Sequence, residues 1–177
     1  MTFKSFIRSA AIAGLVLGAS GAALADEDDR GGQKQLAGAY LAEIQVLTIS
    51  GFDCEFLVSI GFISRCDADI LISLHGDGTV ETSDQTDFVN GFESQAAGSW
   101  SRTGPNNASL RTLSLTFDPA GVQENTQIRS IDISFSADGE SFSGNSRTIG
   151  ISADQDPLDP ASVPEFEVIA TISGRRI

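Results

Sequence analysis

The chain has 177 residues and carries 24 acidic against 11 basic side chains, which gives a formal net charge of −13. This length suits about one domain. An acidic surface argues against a nucleic-acid partner, because phosphate recognition requires clustered Lys and Arg, and it argues equally against docking on anionic lipid. Solubility is the main consequence that we expect from the charge.

The first 25 residues predict a cleaved secretory signal peptide. Lys4 and Arg8 provide a positive start, a run of small apolar residues follows, and Ala23-Leu24-Ala25 offers a small-x-small cleavage site before Asp26. The apolar run is short and interrupted by glycine, and no other segment approaches the length of a membrane span. We therefore expect an exported protein, periplasmic or extracellular, without a membrane span.

The residues that follow the signal divide into a leader and a domain. Residues 26–36 begin "DEDDRGGQKQ", a charged segment without apolar anchors, and this pattern predicts a flexible acidic leader. Residues 37–177 then form a single domain.

Two cysteines, Cys54 and Cys66, are the only ones in the chain. In an exported protein such a pair favours one disulfide that closes a short loop. A metal site is the alternative, but His75, the only histidine, follows at a spacing that is typical of no zinc motif. We expect no cofactor.

From residue 37 onward the sequence alternates between apolar and polar residues with period two, interrupted by turn signals such as Asp77-Gly78 and Asp138-Gly139. Alternation of this kind is typical of antiparallel sheet with one buried face. The predicted strands lie near 38–50, 68–75, 79–83, 95–103, 109–118, 127–137, 141–152 and 164–174. The predicted fold is all-β, a single eight-stranded antiparallel up-and-down barrel, with a two-sheet β-sandwich as the alternative. The barrel is favoured because closure removes exposed sheet edges.

The apolar face of each strand predicts the barrel interior. A barrel of eight strands is either filled by side chains or holds one small ligand. The residues expected to line the interior, and to contact an apolar ligand there, are Ile72, Leu74, Trp100, Leu115, Phe117, Ile133, Phe135, Phe166 and Val168.

One connection, residues 50–66 with the sequence "SGFDCEFLVSIGFISRC", is long and rich in Phe and Ile. A segment this apolar is expected to be buried. It forms either a part of the core held by the disulfide or a lid over a hydrophobic ligand. We call residues 50–66 the flap.

The segments "GSWSRTGP", "LRTLSLTFD", "GVQENTQIRSIDISFSADGESFSG", "DQDPLDP" and the final "SGRRI" resemble secreted calycin-like barrel proteins, a group that includes lipocalins and the allene oxide cyclase type of barrel. The resemblance covers residues 37–177. A lipocalin has Gly-x-Trp on its first strand and a basic residue of its last strand packed across the ring. Here Gly38-Ala39-Tyr40 is a tyrosine variant of that pattern, and Arg175-Arg176 supplies the basic residue, whereas Gly98-Ser99-Trp100 departs from it. The resemblance implies that a cation stacks on an aromatic face to close the barrel floor.

Residues with catalytic or metal-binding chemistry are scattered in this sequence. His75 precedes a Gly-Asp-Gly turn and is expected to be exposed. No serine lies in a nucleophile elbow, and the sequence contains no phosphate-binding glycine loop. Asp154, Asp156 and Asp159 form a weak calcium candidate, although the same residues also predict a rigid turn.

Three functions remain open from the sequence. The first is a non-catalytic exported barrel that binds a small hydrophobic ligand in its interior. The second is a cyclase- or isomerase-like enzyme that acts on a lipid-derived substrate, as the resemblance implies. The third is a filled barrel that serves as a structural or interaction module.

Overall fold

A computed structural model of the chain describes residues 33, 35–84 and 92–177. The predicted signal peptide, residues 1–25, and most of the predicted leader, residues 26–36, lie outside the described residues. The elements are β1 (Gly38–Ile49), β2 (Phe52–Asp53), α1 (Cys54–Ser59), β3 (Asp67–Leu74), β4 (Thr79–Asp84), β5 (Phe92–Glu93), β6 (Ala96–Gly104), β7 (Asn107–Phe117), β8 (Gln123–Phe135), β9 (Ser141–Ser152) and β10 (Phe166–Arg176).

Within the described residues, eight strands close into an antiparallel barrel in the order β1-β3-β4-β6-β7-β8-β9-β10, and β10 pairs with β1. The closing pair runs from Tyr40 opposite Arg176 to Ile49 opposite Val168, with one irregularity between Val46 and Thr48. Two short strands lie outside this ring, since β2 pairs with the end of β1 and β5 pairs with the end of β7. The predicted eight-stranded barrel is confirmed, and continuous pairing from β10 to β1 excludes the two-sheet sandwich.

Both predicted Asp-Gly turns occur where one strand reverses into the next. Gly78 and Gly139 have φ values of 87° and 73°, a region that glycine enters without steric cost. At the first turn, Asp77 accepts hydrogen bonds from the Thr79 amide and hydroxyl at 2.9 and 2.7 Å. At the second turn, Asp138 accepts a bond from the Glu140 amide at 3.1 Å. The turn residues therefore determine the hairpin register.

Aromatic packing closes one end of the barrel, which we call the floor and define by Tyr40, Phe135, Phe142 and Arg176. The three ring centroids lie 5.6 to 5.8 Å apart in tilted or edge-on pairs. The Arg176 guanidinium lies 5.3 Å from the Tyr40 ring centroid and donates a 2.7 Å hydrogen bond to the Tyr40 hydroxyl. The predicted pairing of the first-strand aromatic residue with the C-terminal arginines is confirmed, and Arg176 is the arginine that makes it.

The floor also holds the last residues of the predicted leader. Gln33, Gln35 and Leu36 have helical backbone, and Leu36 is buried in the core. The Tyr40 hydroxyl donates to the Leu36 carbonyl at 2.8 Å, and Arg176 donates to the Gln35 carbonyl at 3.0 Å. The packed part of the chain therefore begins before residue 37, where the sequence placed the boundary.

Trp100 is an interior anchor on β6. Its side chain is buried in the core opposite Leu110 of β7, and its indole Nε1 donates to the His75 carbonyl at 2.9 Å. This bond ties the middle of the barrel wall to the turn between β3 and β4.

The flap contributes to the core. Cys54 and Cys66 form a disulfide with a Cα–Cα distance of 5.9 Å, and both are buried with Leu57 and Ile63 in the same cluster as the barrel interior. Helix α1 begins at Cys54 because the side chain of Asp53 accepts a hydrogen bond from the Phe56 amide at 3.1 Å. The disulfide therefore holds part of the flap in the core. The expectation that the whole segment is buried was wrong, because its remaining large apolar side chains, Phe52, Phe56, Ile60 and Phe62, are exposed.

The two faces of strand β7 are exchanged relative to the expectation, so that the face expected to line the interior lies on the outside. Ala108, Leu110, Thr112 and Ser114 are its buried residues, whereas Leu113 is 36% exposed. Leu115 shares the face of Leu113, so its expected position in the barrel interior was wrong. The physical reason is pairing, because Leu110 lies opposite Ile131 of the core and this register turns the hydroxyls of Thr112 and Ser114 inward.

Replacing both cysteines, in the variant Cys54→Ala/Cys66→Ala, is expected to lower the free energy of unfolding by about 3 kcal/mol, because the disulfide closes a loop with a sequence separation of 12. Urea unfolding measures the change. The wild-type protein in reductant serves as the control and should lose a similar amount, whereas reductant should leave the variant unchanged. A loss well below about 1 kcal/mol would show that packing alone holds the flap.

The raised pKa of Tyr40 predicts how the stability of the barrel depends on pH. Burial of the phenol raises the pKa of Tyr40 above its ordinary value of 10.0, while the Arg176 hydrogen bond and charge offset a part of this rise. The folded state favours the neutral phenol, and this preference adds to the free energy of unfolding. The added stability is fully present below pH 10 and is lost as the pH rises through the pKa of the folded state. Tyr40→Phe should therefore show a smaller loss of unfolding free energy above pH 10 than the wild-type protein. Equal slopes for the two proteins would contradict this assignment.

Candidate functional site

Polar side chains collect inside the barrel, towards the end opposite the floor. Six of them are buried on inward-facing strand positions, and we call this set the polar wall. Its members are Thr82, Thr112, Ser114, Arg129, Ser146 and Thr148. Most of the wall comes from three adjacent strands, β7, β8 and β9.

The strand register brings these side chains together. Arg129 of β8 lies directly opposite Thr112 of β7 on one side and Thr148 of β9 on the other. Arg129 shares its face with Ile131, which has no exposed surface and belongs to the core. The guanidinium group is therefore inside the barrel, and Arg129 as a whole is only 8% exposed.

Hydrogen bonds join parts of the polar wall. Arg129 Nε donates to Thr148 Oγ1 at 3.2 Å, and Ser114 Oγ donates to the Glu93 carboxylate at 2.5 Å. Thr112 Oγ1 is buried and has no hydrogen-bond partner. An unpaired buried hydroxyl costs stability, because the water that it would bind in the unfolded chain is not replaced.

The side of the barrel interior that faces the polar wall is apolar. In the ring order of the strands, β7 and β8 stand opposite β1 and β3. Strands β1 and β3 present Val46, Ala68 and Ile70 to the interior, and the flap adds Leu57 and Ile63 beside them. The barrel interior is therefore polar on one side and apolar on the other at this end.

The start of β10 lies at this end of the barrel and is less buried than the floor. Floor residues such as Tyr40 and Phe135 are buried, whereas Phe166 and Val168 at the start of β10 are half-buried. Phe166 lies over Gly150, where an added Cβ would come within 2.1 Å of the ring atom Cε1. Glycine at this position thus allows the ring to lie across the start of the polar wall.

The interior residues expected from the sequence fall into three groups. Ile72, Leu74, Trp100, Ile133 and Phe135 are buried in the core. Phe117, Phe166 and Val168 are half-buried, and Leu115 is half-buried on the outer face. Whether any of these side chains contacts a ligand stays a prediction.

Sequence reasoning missed the polar wall. The alternation "TLSLT" places both leucines on one face and the hydroxyl residues on the other, and the leucine face was expected to be the interior. The available signal was Arg129, which continues the alternation of Ile131, Ile133 and Phe135 and so places a charge on the core face of β8.

The remaining chemical candidates are explained by local structure. His75 is exposed, as expected, and its carbonyl accepts the Trp100 bond. In the calcium candidate, Asp156 accepts the Leu158 amide at 2.9 Å and Asp159 accepts the Ala161 amide at 2.8 Å, which are bonds of turns. Among the described residues, no group of three or more potential metal ligands occurs, and the three aspartates are not brought together as one.

Two features of the outer surface also stand out. A groove of about 540 Å³ crosses the outer wall over β8, β9, β10 and β1 and is lined mainly by polar side chains such as Glu43, Asn145 and Thr171. On the outer side of the flap, Phe52, Phe56, Ile60 and Phe62 are between 51% and 70% exposed.

The fold and the site together define a closed β-barrel with an interior that is apolar at the floor and divided into a polar and an apolar side at the other end. No protein-family model, curated protein or solved structure matches this chain. Within the described part of the chain, no helix is both long and apolar enough to cross a membrane.

Thr112→Val is expected to raise the free energy of unfolding by about 1 kcal/mol, because it replaces an unpartnered buried hydroxyl with a methyl group of similar shape. Thr126→Val is the matched control. Thr126 is equally buried but lies on the outer face, and its hydroxyl accepts a hydrogen bond from Gln123 at 3.3 Å. The control should lose stability in the same urea titration. A loss of similar size in Thr112→Val would show that its hydroxyl is paired.

Proposed function

We propose that this protein is an exported, non-catalytic β-barrel that binds one small amphipathic molecule inside the end opposite the floor. The polar part of the ligand contacts the polar wall, and its apolar part contacts β1, β3 and the flap. This proposal retains the interior ligand that the sequence suggested and changes its chemistry from purely hydrophobic to amphipathic.

The observation that carries the proposal is the burial of Arg129 among hydroxyl groups, with Thr112 Oγ1 unpartnered. A barrel that only needed a filled interior would be more stable with apolar side chains at these positions, because buried charge and unpaired hydroxyls are costly. A polar atom of a ligand would satisfy the Thr112 hydroxyl. Small-molecule sites commonly combine an apolar lining with a few placed polar groups of this kind.

The remaining features support export and a calycin-like ancestry. A disulfide between Cys54 and Cys66 persists best in an oxidising compartment, which agrees with the predicted signal peptide. The Tyr40–Arg176 pairing across the floor agrees with the resemblance to calycin-like barrels.

The chemistry of the polar wall favours binding over catalysis. A guanidinium keeps its proton at any physiological pH, and hydroxyl groups orient a ligand more readily than they remove a proton from it. A cyclase-like enzyme would need a group that exchanges protons with the substrate, and none of the six side chains of the polar wall is a carboxylic acid or a histidine. The wall is suited to hold and orient a polar group.

Native mass spectrometry of the protein purified from the exported fraction of its own host tests the proposal. We expect a stoichiometric small molecule that is released on unfolding and rebinds after refolding. Exchange of Arg129 for Gln should reduce the occupied fraction, whereas Arg147→Gln, which removes an exposed arginine paired with Glu167, should leave it unchanged. An unoccupied barrel that also binds no amphipathic probe would favour the filled structural module.

A further inference from the structure

We infer that the end of the barrel opposite the floor is a docking surface for a second protein, and that this partner presents a cationic segment with an apolar face. The surface consists of three connections between strands, residues 50–66, 118–122 and 153–165, which we call the rim. Its basis is the combination of exposed apolar side chains and acidic charge on these connections. The inference goes beyond the proposed function and does not depend on a ligand in the barrel interior.

The strand order places the three connections side by side. Strands β1, β7 and β9 all run away from the floor, and one connection of the rim follows each of them. The Ser50 amide of the flap donates to the Glu167 carbonyl of β10 at 2.6 Å, and the Ala153 amide donates to the Glu124 carbonyl of β8 at 2.9 Å. The rim is therefore one continuous surface rather than three separate loops.

The rim carries the most exposed apolar side chains of the barrel. Among the described residues, twelve large apolar side chains are exposed, and seven of them belong to the rim. These are the four of the flap together with Val122, Leu158 and Val163, and they are between 51% and 75% exposed. The four on the barrel strands are only 36% to 44% exposed. Apolar side chains that are scattered singly are normal on a protein surface, whereas a cluster of them marks a contact site.

Local hydrogen bonds hold the apolar side chains of the rim in place. Asp118 accepts a bond from the Val122 amide at 2.8 Å, and Asp156 accepts one from the Leu158 amide at 2.9 Å. The disulfide and the Asp53 cap of α1 fix the flap in the same way. Because the surface is formed before docking, a partner loses little affinity to the ordering of these connections.

The charge of the rim defines the chemistry of the partner. The three connections contain seven acidic side chains and one basic side chain, Arg65. Four of the acidic side chains, Asp154, Asp156, Asp159 and Glu165, lie on the connection before β10. Complementary charge steers association and excludes wrong partners. A segment that carries Lys or Arg beside an apolar face therefore fits both the apolar side chains and the carboxylates.

Other occupants are disfavoured by the same charge. A second copy of this chain would bring seven further acidic side chains to the interface, and the phosphates of a lipid surface would likewise face carboxylates. At physiological ionic strength, charges within about 8 Å of one another still interact. The predicted leader is acidic as well, since residues 26–32 contain four acidic side chains and one basic side chain.

Isothermal titration of the purified protein with two designed peptides tests the inference. Each peptide has about 14 residues, roughly four helical turns, with leucine on one face. The first has lysine at its polar positions, and the second has glutamate there. We expect the lysine peptide to bind at least about tenfold more tightly than the glutamate peptide, and to lose affinity as the salt concentration is raised.

A third peptide separates apolar docking from attraction of charge alone. It has the composition of the lysine peptide in an order that abolishes the apolar face. We expect it to bind at least about tenfold more weakly than the amphipathic lysine peptide, because its leucines cannot meet the rim together. Equal affinity for these two peptides would overturn the apolar part of the surface and with it the inference.

Paired substitutions locate the binding surface. Phe56→Ser/Phe62→Ser removes two exposed rings of the flap and should weaken binding of the lysine peptide at least about tenfold. Leu41→Ser/Leu71→Ser is the matched control, because these exposed side chains lie opposite each other on the outer wall of β1 and β3. The control should retain the affinity within about twofold. Unchanged affinity in the flap variant would overturn the inference.

Charge substitutions provide a second test that leaves the apolar side chains intact. Asp154→Asn/Glu165→Gln should weaken binding of the lysine peptide and flatten its dependence on salt. Glu43→Gln/Asp132→Asn removes the same charge from the exposed outer wall and should change neither. An effect of equal size in both variants would show attraction by the net charge of the protein and would overturn the assignment to the rim.

The remaining outcomes concern the other occupants. Flotation of the protein with phosphatidylcholine vesicles, lost in Phe56→Ser/Phe62→Ser, would assign the rim to lipid and overturn the inference. A concentration-dependent dimer in analytical ultracentrifugation, lost in the same variant, would assign it to a second copy and also overturn it. None of these results bears on the occupancy of the barrel interior, so the proposed function is judged separately.

Discussion

The pairing of the first barrel strand with the last determines this structure. Strands β1 and β10 are joined along their length, and at their end Arg176 contacts Tyr40 both through the ring and through the hydroxyl. Without this pairing, β1 and β10 would each leave an edge of unpaired amides and carbonyls. With it, every strand of the ring has two neighbours, and one face of each strand is enclosed. The interior exists as a separate environment only because this seam is closed.

The enclosed environment is used in two ways. At the floor, aromatic rings and Leu36 fill the space. The Tyr40 hydroxyl is buried there and donates a hydrogen bond to the Leu36 carbonyl. Farther along, the same strands turn hydroxyl groups and Arg129 inward, where burial makes them costly. The floor is thus filled by apolar packing, whereas the other end combines buried polar groups with the flap and its disulfide.

The sequence predicted the architecture well for a simple reason. Period-two alternation and Asp-Gly turns are local signals, and each was sufficient to locate a strand or a hairpin. The Tyr40–Arg176 contact was also predicted, through the resemblance at the two ends of the domain. The phase of β7 was wrong because "SLRTLSLTF" alternates with apolar residues in both phases, so that only its partner strand could decide which face is buried. The polar wall was missed for the same reason, since it exists only where three strands meet in a definite register.

Closure by the first and last strands also has a consequence for folding. In a chain synthesised from its N-terminus, β1 is complete long before β10, because Tyr40 and Arg176 are 136 residues apart. The loop between Cys54 and Cys66 can close early, as a local event. The pairing of β1 with β10 cannot form early, and this long-range pairing should dominate the folding time. Until β10 arrives, the open edge of β1 and the apolar flap beside it are the parts of the nascent chain that most need protection from aggregation.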